Sequence, residues 1–261
     1  MLGRQQGTKP GGVRIKSPDH LAIMRDAGRI LAKALEAVGR HVEPGVSTLE
    51  LDRVAAGVLA SMGAQASFLG LYGFPASVCA SVNDVVVHGI PSDAAVLAEG
   101  DVVGIDIGVY WRGFHVDAAA TFAAGEVNRR VRKLLAATEK GLGLGVGAAV
   151  AGNRVRDVSF AIQDYIEAKC GYHCVRALCG HGVGFEVHED PQVPNYVSKD
   201  PGPELVAGMT LAIEPMVNMG TADVYTDDDG WAVRTADGKT SAHFEHTVAV
   251  TDDGPIVLTA P

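Results

Sequence analysis

Gly100-Asp-Val-Val-Gly-Ile-Asp106-Ile-Gly-Val-Tyr-Trp-Arg-Gly-Phe-His-Val-Asp117-Ala-Ala-Ala-Thr-Phe122 is the stretch on which the fold turns. It reads as two apolar strands around a turn at Tyr110–Gly113, where Gly113 suits a tight connection. One acidic residue interrupts each strand. Pairing about the Trp111–Arg112 bond sets Asp106 directly opposite Asp117. Opposed residues have Cβ atoms about 4.5–5.5 Å apart, where like charges repel. One aspartate facing solvent, or a bulge that slips the register, would relieve the conflict. The other reading is a cation between the two carboxylates, and hard oxygen ligands suit divalent metals. The rest of the chain must then supply further ligands.

With 261 residues, 47% hydrophobic and 20% charged, the chain can bury a sizeable core. No apolar run is long enough to span a membrane, and the N-terminus lacks the apolar core of an export signal. The expected compartment is therefore the cytoplasm. A net charge of −9 argues against wholesale nucleic-acid binding. Residues 1–16 are the exception, a basic arm carrying Arg4, Lys9, Arg14 and Lys16 without an acid. A loosely attached tail is expected there, a weak docking element for RNA at best. Cys79, Cys170, Cys174 and Cys179 do not make a zinc pattern and read as small, reduced, buried residues.

Ser17-Pro18 opens a helix running to about Arg40, with an apolar stripe at helical spacing. Ser47-x-x-Glu50 is a capping box for a second helix ending near Gly63. Extended chain and the central hairpin follow. Two more helices, about 128–150 and 154–169, precede a second strand-rich stretch. This order suggests a repeat, and one is present. Leu97–Val109 and Leu205–Val217 share the pattern L-x-x-G-x-x-[VL]-[GA]-I-[DE]-x-x-V, which aligns Asp106 with Glu214. Val87-His88-x-x-Pro91 matches Val187-His188-x-x-Pro191, and His115-x-Asp117-x-Ala119 matches His243-x-Glu245-x-Thr247. The halves are about 17–126 and 127–261.

Halves facing each other would bring Asp106, Asp117, Glu214 and Glu245 together. Four inward carboxylates in apolar surroundings require cations to stay ionised, and two divalent ions would suffice. His181, flanked by glycines in Cys179-Gly-His-Gly-Val-Gly184, is the further ligand candidate. This mostly hard set suits Mn, Fe(II), Co or Zn. His88 and His188 are better cast as acid–base or polarising groups. His115 and His243, two residues before ligand candidates, are placed to support them from behind. Gly143-Leu-Gly-Val-Gly-Ala148 fits a loose dinucleotide fingerprint but lies inside an expected helix, so its glycines are assigned to helix packing.

With these residues in hand, the chain resembles the bacterial type I methionine aminopeptidases over about residues 15–258. The match rests on SVNDVVVHGIP, GIDIG, GFHVDAA, GHGVG with VHEDPQV, AIEPM, DGWAVRT and FEHTV, in family order. The resemblance implies an α+β pita-bread fold, two pseudo-symmetric αβ halves around a dimetal site in one catalytic domain, 17–261. It implies that Asp106 binds one ion, that Asp117 and Glu245 bridge both, and that His181 and Glu214 bind the second. His88 and His188 fall on the family's substrate-contacting histidines. Phe74, Cys79 and Trp231 fall on its methionine side-chain pocket. The implied reaction is removal of N-terminal methionine from nascent polypeptides when the second residue is small. A bridging water or hydroxide would be the nucleophile, Glu214 its proton acceptor and His188 the oxyanion donor. A monomer that contacts the ribosome is the implied working form. The chain departs from many bacterial members at Gly108 (Thr), Leu71 (aromatic), Phe74 (Tyr) and Val187 (Phe), which bears on pocket shape and metal tuning. Two rivals remain: a proline-specific peptidase of the same fold, normally with an additional N-terminal domain, and a non-catalytic pita-bread protein, which would have lost ligands.

Overall fold

A computed structural model describes residues 12–260. The helices are α1 (Pro18–His41), α2 (Thr48–Ser61), α3 (Arg129–Ala148) and α4 (Val155–Gln163), the last continuing as a π-helical turn over Asp164–Lys169. The expected capping box of α2 forms, and α1 has one that was not expected. Glu50 closes the box of α2, while the ring of His20 takes the usual Glu position in α1. The apolar stripe of α1 buries Met24, Ala27, Ile30, Leu31, Ala34 and Val38. In α3 the expected packing role fails for Gly143 and Gly147, which face open space, but Gly141, outside the fingerprint, and Gly145, inside it, do pack closely. A β-carbon there would come within 2.9 Å of Ile166 or 2.8 Å of Ile162.

The first half carries β1 (Gln65–Ala66), β2 (Cys79–Val82), β3 (Val85–Val87), β4 (Val102–Trp111) and β5 (Phe114–Ala123). In the second half come β6 (His173–Cys174), β7 (Gly180–Gly182), β8 (Glu189–Val193), β9 (Thr210–Ile213) and β10 (Met216–Asn218). They are followed by β11 (Val224–Thr226), β12 (Val233–Thr235), β13 (Ser241–His243), β14 (His246–Ala249) and β15 (Ile256–Val257). β4 is the centre of the first sheet, with β5 along one edge and β1 and β2 along the other. The largest second-half sheet runs β15-β14-β9-β7-β8. One apolar core lies between the β4–β5 hairpin and α1 and α2, and another beneath α3 and α4.

The hairpin register differs from the expected one by two residues. Trp111 pairs with Phe114, so Asp117 faces Gly108 and Asp106 faces Ala119. The turn decides this. Arg112 and Gly113 both have positive φ, 49° and 92°, as a two-residue turn matched to strand twist requires. A shift of two keeps every side chain on its face. Asp106 and Asp117 are therefore diagonal neighbours instead of a directly opposed pair.

The halves are stitched along a seam between β5 and the β13–β14 segment. Thr247 Oγ1 accepts from Asp117 N and donates to Asp117 O, both at 2.8 Å. Glu245 N donates to Ala119 O at 2.8 Å, and Thr121 Oγ1 donates to His243 O at 2.8 Å. Under the repeat alignment Asp117–Thr247 and Glu245–Ala119 exchange places, as a twofold axis through the seam would make them.

The expectation of a loose arm fails over its last residues. Val13 is buried, Lys16 is buried against Glu189, and Lys16 N donates to Gly208 O at 2.8 Å. Apolar contact for Val13 and a carboxylate for Lys16 supply what a disordered tail lacks. Arg4 and Lys9 lie outside the described residues.

Candidate metal centre and substrate pocket

One cavity of about 230 Å³ is lined by all ten residues singled out from the sequence: Phe74, Cys79, His88, Asp106, Asp117, His181, His188, Glu214, Trp231 and Glu245. Asp106 comes from β4 and Asp117 from β5, while Glu214 directly follows β9 and Glu245 directly precedes β14. His181 sits in the middle of β7. A β-carbon at Gly180 or Gly182 would lie 2.3 Å from the carbonyl of Ala212 or Asp190. Only glycine lets this strand fit between its neighbours, and that fit delivers the imidazole to the cluster.

Ligand atoms of Asp117, His181 and Glu245 lie within 4.8 Å of one another. His181 Nε2 is 3.5 Å from Glu214 Oε1. The other ring nitrogen, Nδ1, is 2.8 Å from the carbonyl of Gly182 and donates to it, which leaves Nε2 with its lone pair toward the carboxylates. Burial lowers the imidazole to about 4, with His188 nearby adding to the effect, so His181 is neutral and able to ligate.

The carboxylates are shifted the other way. Burial raises Glu214 to about 8 and Asp106 to about 6. Asp117 and Glu245 are also pushed well up, first by burial and then by the neighbouring acids. Asp106 Oδ1, Asp117 Oδ1 and Glu245 Oε1 are buried without a hydrogen-bond partner among the described residues. Orphaned, mutually repelling acceptors of this kind are costly unless something positive joins them. The donor set therefore fits divalent ions.

The opposite wall is apolar. Phe74 and Trp231 pack edge to face with centroids 5.1 Å apart. Cys79 pairs with Asp106 across β2 and β4, and burial raises its thiol well above the ordinary range, so it acts as a small apolar surface. Phe68, Leu71 and Tyr72 complete the wall. His88 and His188 also line the cavity. Burial lowers both, His88 to about 4, so each is a neutral donor–acceptor near pH 7. His88 adopts φ of 61°, a left-handed conformation costing roughly 1 kcal/mol or more for a residue with a side chain. Gly89 holds it there, since Ala80 N donates to Gly89 O at 2.8 Å.

Sequence reasoning paired His115 and His243, and the structure separates them. His243 is buried, with Nε2 3.5 Å from Glu214 Oε2 and 3.9 Å from Glu245 Oε2. His115 instead meets Ser67 Oγ at 2.8 Å, away from the carboxylates. Phe68 and Tyr72 were missed. The sequence suggests extended chain here, whereas it turns at Leu71–Gly73; Gly70 and Gly73 could have signalled the turn, but not that it lines the cavity. Asn195, whose Nδ2 donates to Glu214 O at 2.9 Å, had no sequence signal.

Comparison with known proteins agrees with this geometry. The model of metallopeptidase family M24 matches residues 22–252. A methionine aminopeptidase of Clostridium perfringens is 50% identical over 245 residues, covering 94% of this chain and 98% of the relative. The crystal structure of methionine aminopeptidase from Thermotoga maritima superposes with a TM-score of 0.93 at 39% identity, covering 95% of this chain and all of that one. An Xaa-Pro dipeptidase from Bacillus anthracis shares the fold at 25% identity and a TM-score of 0.76, but only 62% of its length is covered. Two αβ halves closing on a buried carboxylate cluster, with a family match across nearly the whole chain, place it in metallopeptidase family M24.

Proposed function

We propose that this chain is a methionine aminopeptidase. It hydrolyses the bond after an N-terminal methionine of nascent polypeptides whose second residue is small. Asp106, Asp117, His181, Glu214 and Glu245 would hold the divalent ions, two of them by the family resemblance. The observation that carries the reading is one cavity with an apolar wall of side-chain size facing a cluster of orphaned carboxylate oxygens. When bound, the ions supply the charge that polarises the scissile carbonyl and lowers the pKa of the attacking water.

The chain's own groups do the rest. Phe74, Cys79 and Trp231 receive the methionine side chain and keep water from that end. Glu214 accepts a proton from the attacking water at its carboxylate and can return it to the leaving amine. His188 donates to the developing oxyanion, and His88 contacts the substrate main chain or the new amine. A hard donor set supports Mn, Fe(II), Co or Zn as the ion. The working form is a cytoplasmic monomer that meets its substrates as they leave the ribosome.

Retention of every proposed ligand argues against a non-catalytic relative. The lower identity to the dipeptidase argues against the proline-specific rival. The test is metal content of the purified protein together with methionine release from Met-Ala-Ser and from an Xaa-Pro dipeptide. Two equivalents of divalent metal and release from the tripeptide alone are expected. Asp106→Asn should lose metal and nearly all activity, because a neutral amide is a poor replacement for a charged ligand. Full turnover by that variant would sink the ligand assignment.

A further inference from the structure

Lys16 is a buried cation that the proposed chemistry does not use. Its side chain is 1% exposed and forms an ion pair with Glu189, whose side chain is 2% exposed. Its Nζ also donates to Arg14 O at 3.2 Å and lies 5.3 Å from the ring centroid of Phe185. The stem is pressed against Gly184, where a β-carbon would come within 2.4 Å of Lys16 Cε. A buried ion pair is a poor way to gain stability, since well-packed apolar groups of similar volume usually do as well or better. The lysine therefore calls for another explanation.

Glu189 supplies it. With Oε2 engaged by Lys16, Oε1 accepts from Phe185 N at 2.6 Å and from Glu186 N at 3.0 Å. One carboxylate thus closes the loop 185–189 on itself. The loop carries His188, which lines the cavity with its ring centroid 4.5 Å from that of His181. Among the described residues the imidazole of His188 makes no hydrogen bond, and its ring lies beside those of His181 and Tyr72. Its position is therefore set by its backbone, and its backbone by Glu189. Arg14 reinforces the same loop from outside, 3.0 Å from Glu186 Oε1 and over the face of Phe185.

We propose that Lys16 is a positioning residue: by fixing Glu189 it sets the loop that places His188 at the substrate. The N-terminal segment thereby becomes a support of the active site from outside the catalytic strands. This rests on the assignment of His188 as a substrate contact, and His188→Ala alone tests that assignment.

The experiment compares wild type, Lys16→Met, His188→Ala and the double variant in the metal-loaded enzyme. Metal content, kcat and KM for Met-Ala-Ser are measured. Lys16→Met should retain full metal and a KM within about threefold, with kcat reduced about 10–100-fold, the usual scale for a reacting group misplaced by an ångström. In the His188→Ala background the same change should lower kcat no further. An unchanged kcat in Lys16→Met overturns the proposal. So does an equal loss with and without His188, or a loss of metal. Wild-type kcat in His188→Ala instead refutes the role of His188. If Glu189 left without its partner prevents folding, Lys16→Met/Glu189→Gln removes both charges and should show the same loss. Wild-type kcat there, or failure to fold, assigns the pair a purely structural role and refutes the proposal.

Discussion

Removing a proposed metal ligand should stabilise the metal-free protein. In Glu214→Gln, a carboxyl that burial raises to about 8 gives way to a group that cannot ionise. An acid whose folded pKa lies above its unfolded value binds more protons when folded, so stability is lost as pH rises between the two. The window for Glu214 runs from its ordinary value of 4.5 to about 8. At pH 8 the unfolded chain gains the full free energy of ionising this group and the folded chain almost none, a difference of about 4 kcal/mol. At pH 5 the folded group is neutral, and the difference falls below about 1 kcal/mol. A domain of this size shifts its melting temperature by about 2 °C per kcal/mol. The metal-free variant should therefore melt about 8 °C above metal-free wild type at pH 8 and near it at pH 5. With divalent metal restored the order should reverse, because wild type alone gains the full binding free energy. Thermal melts followed by circular dichroism in chelator, at both pH values, and again with metal, measure all of this. A metal-free Glu214→Gln that melts at or below wild type at pH 8 would falsify the picture of uncompensated acids in a dry site.

His88→Ala should keep its metal but slow turnover by roughly 10²–10⁴, the usual worth of a positioned acid–base group, and a fall in metal content would make His88 a ligand. Gly108→Ala should cost about 1–3 kcal/mol by overpacking. Its β-carbon would lie 2.7 Å from Phe68 Cε1 and 2.8 Å from Ser67 Cβ, so the Phe68 ring, which lines the cavity, must shift. KM for methionyl peptides should rise while metal content stays constant, and an unchanged KM would separate Phe68 from the pocket. Leu2→Ala should lose Met1 in a cytoplasm that uses this class of enzyme, whereas Leu2 should protect it. Forcing a branched chain against a packed wall costs on the order of 1–3 kcal/mol, and each 1.36 kcal/mol is tenfold in rate. Intact mass of both proteins decides the matter.

The carboxylates were legible because they contradict their surroundings. An aspartate inside VVGIDIGV has no reason to be there unless something charged meets it. The internal repeat then carried that anomaly to Glu214 and Glu245. Register was less legible, since it depended on Arg112 accepting a positive φ, and no hydrophobic pattern records that. The alternation constrained only the face, and it constrained it correctly. Phe68 and Lys16 were hidden for a different reason. One lies over a missing β-carbon and the other pairs with a carboxylate far along the chain, so neither leaves a local trace. His115 and His243 occupy equivalent places in the repeat, yet only His243 meets the carboxylates. Symmetry of sequence did not extend to their neighbours.

The seam between β5 and β14 has a consequence for the order in which the molecule can come to life. Asp117 and Glu245 occupy its opposite sides, and Thr247 ties them together. A chain emerging from its N-terminus can pack α1, α2 and the hairpin early, as local elements do. The cluster nevertheless stays incomplete until Glu245, just before β14, has been made. No growing copy can therefore trim its own leading residue, and any trimming it receives must come from a finished molecule. A protein in that position cannot safely depend on being trimmed.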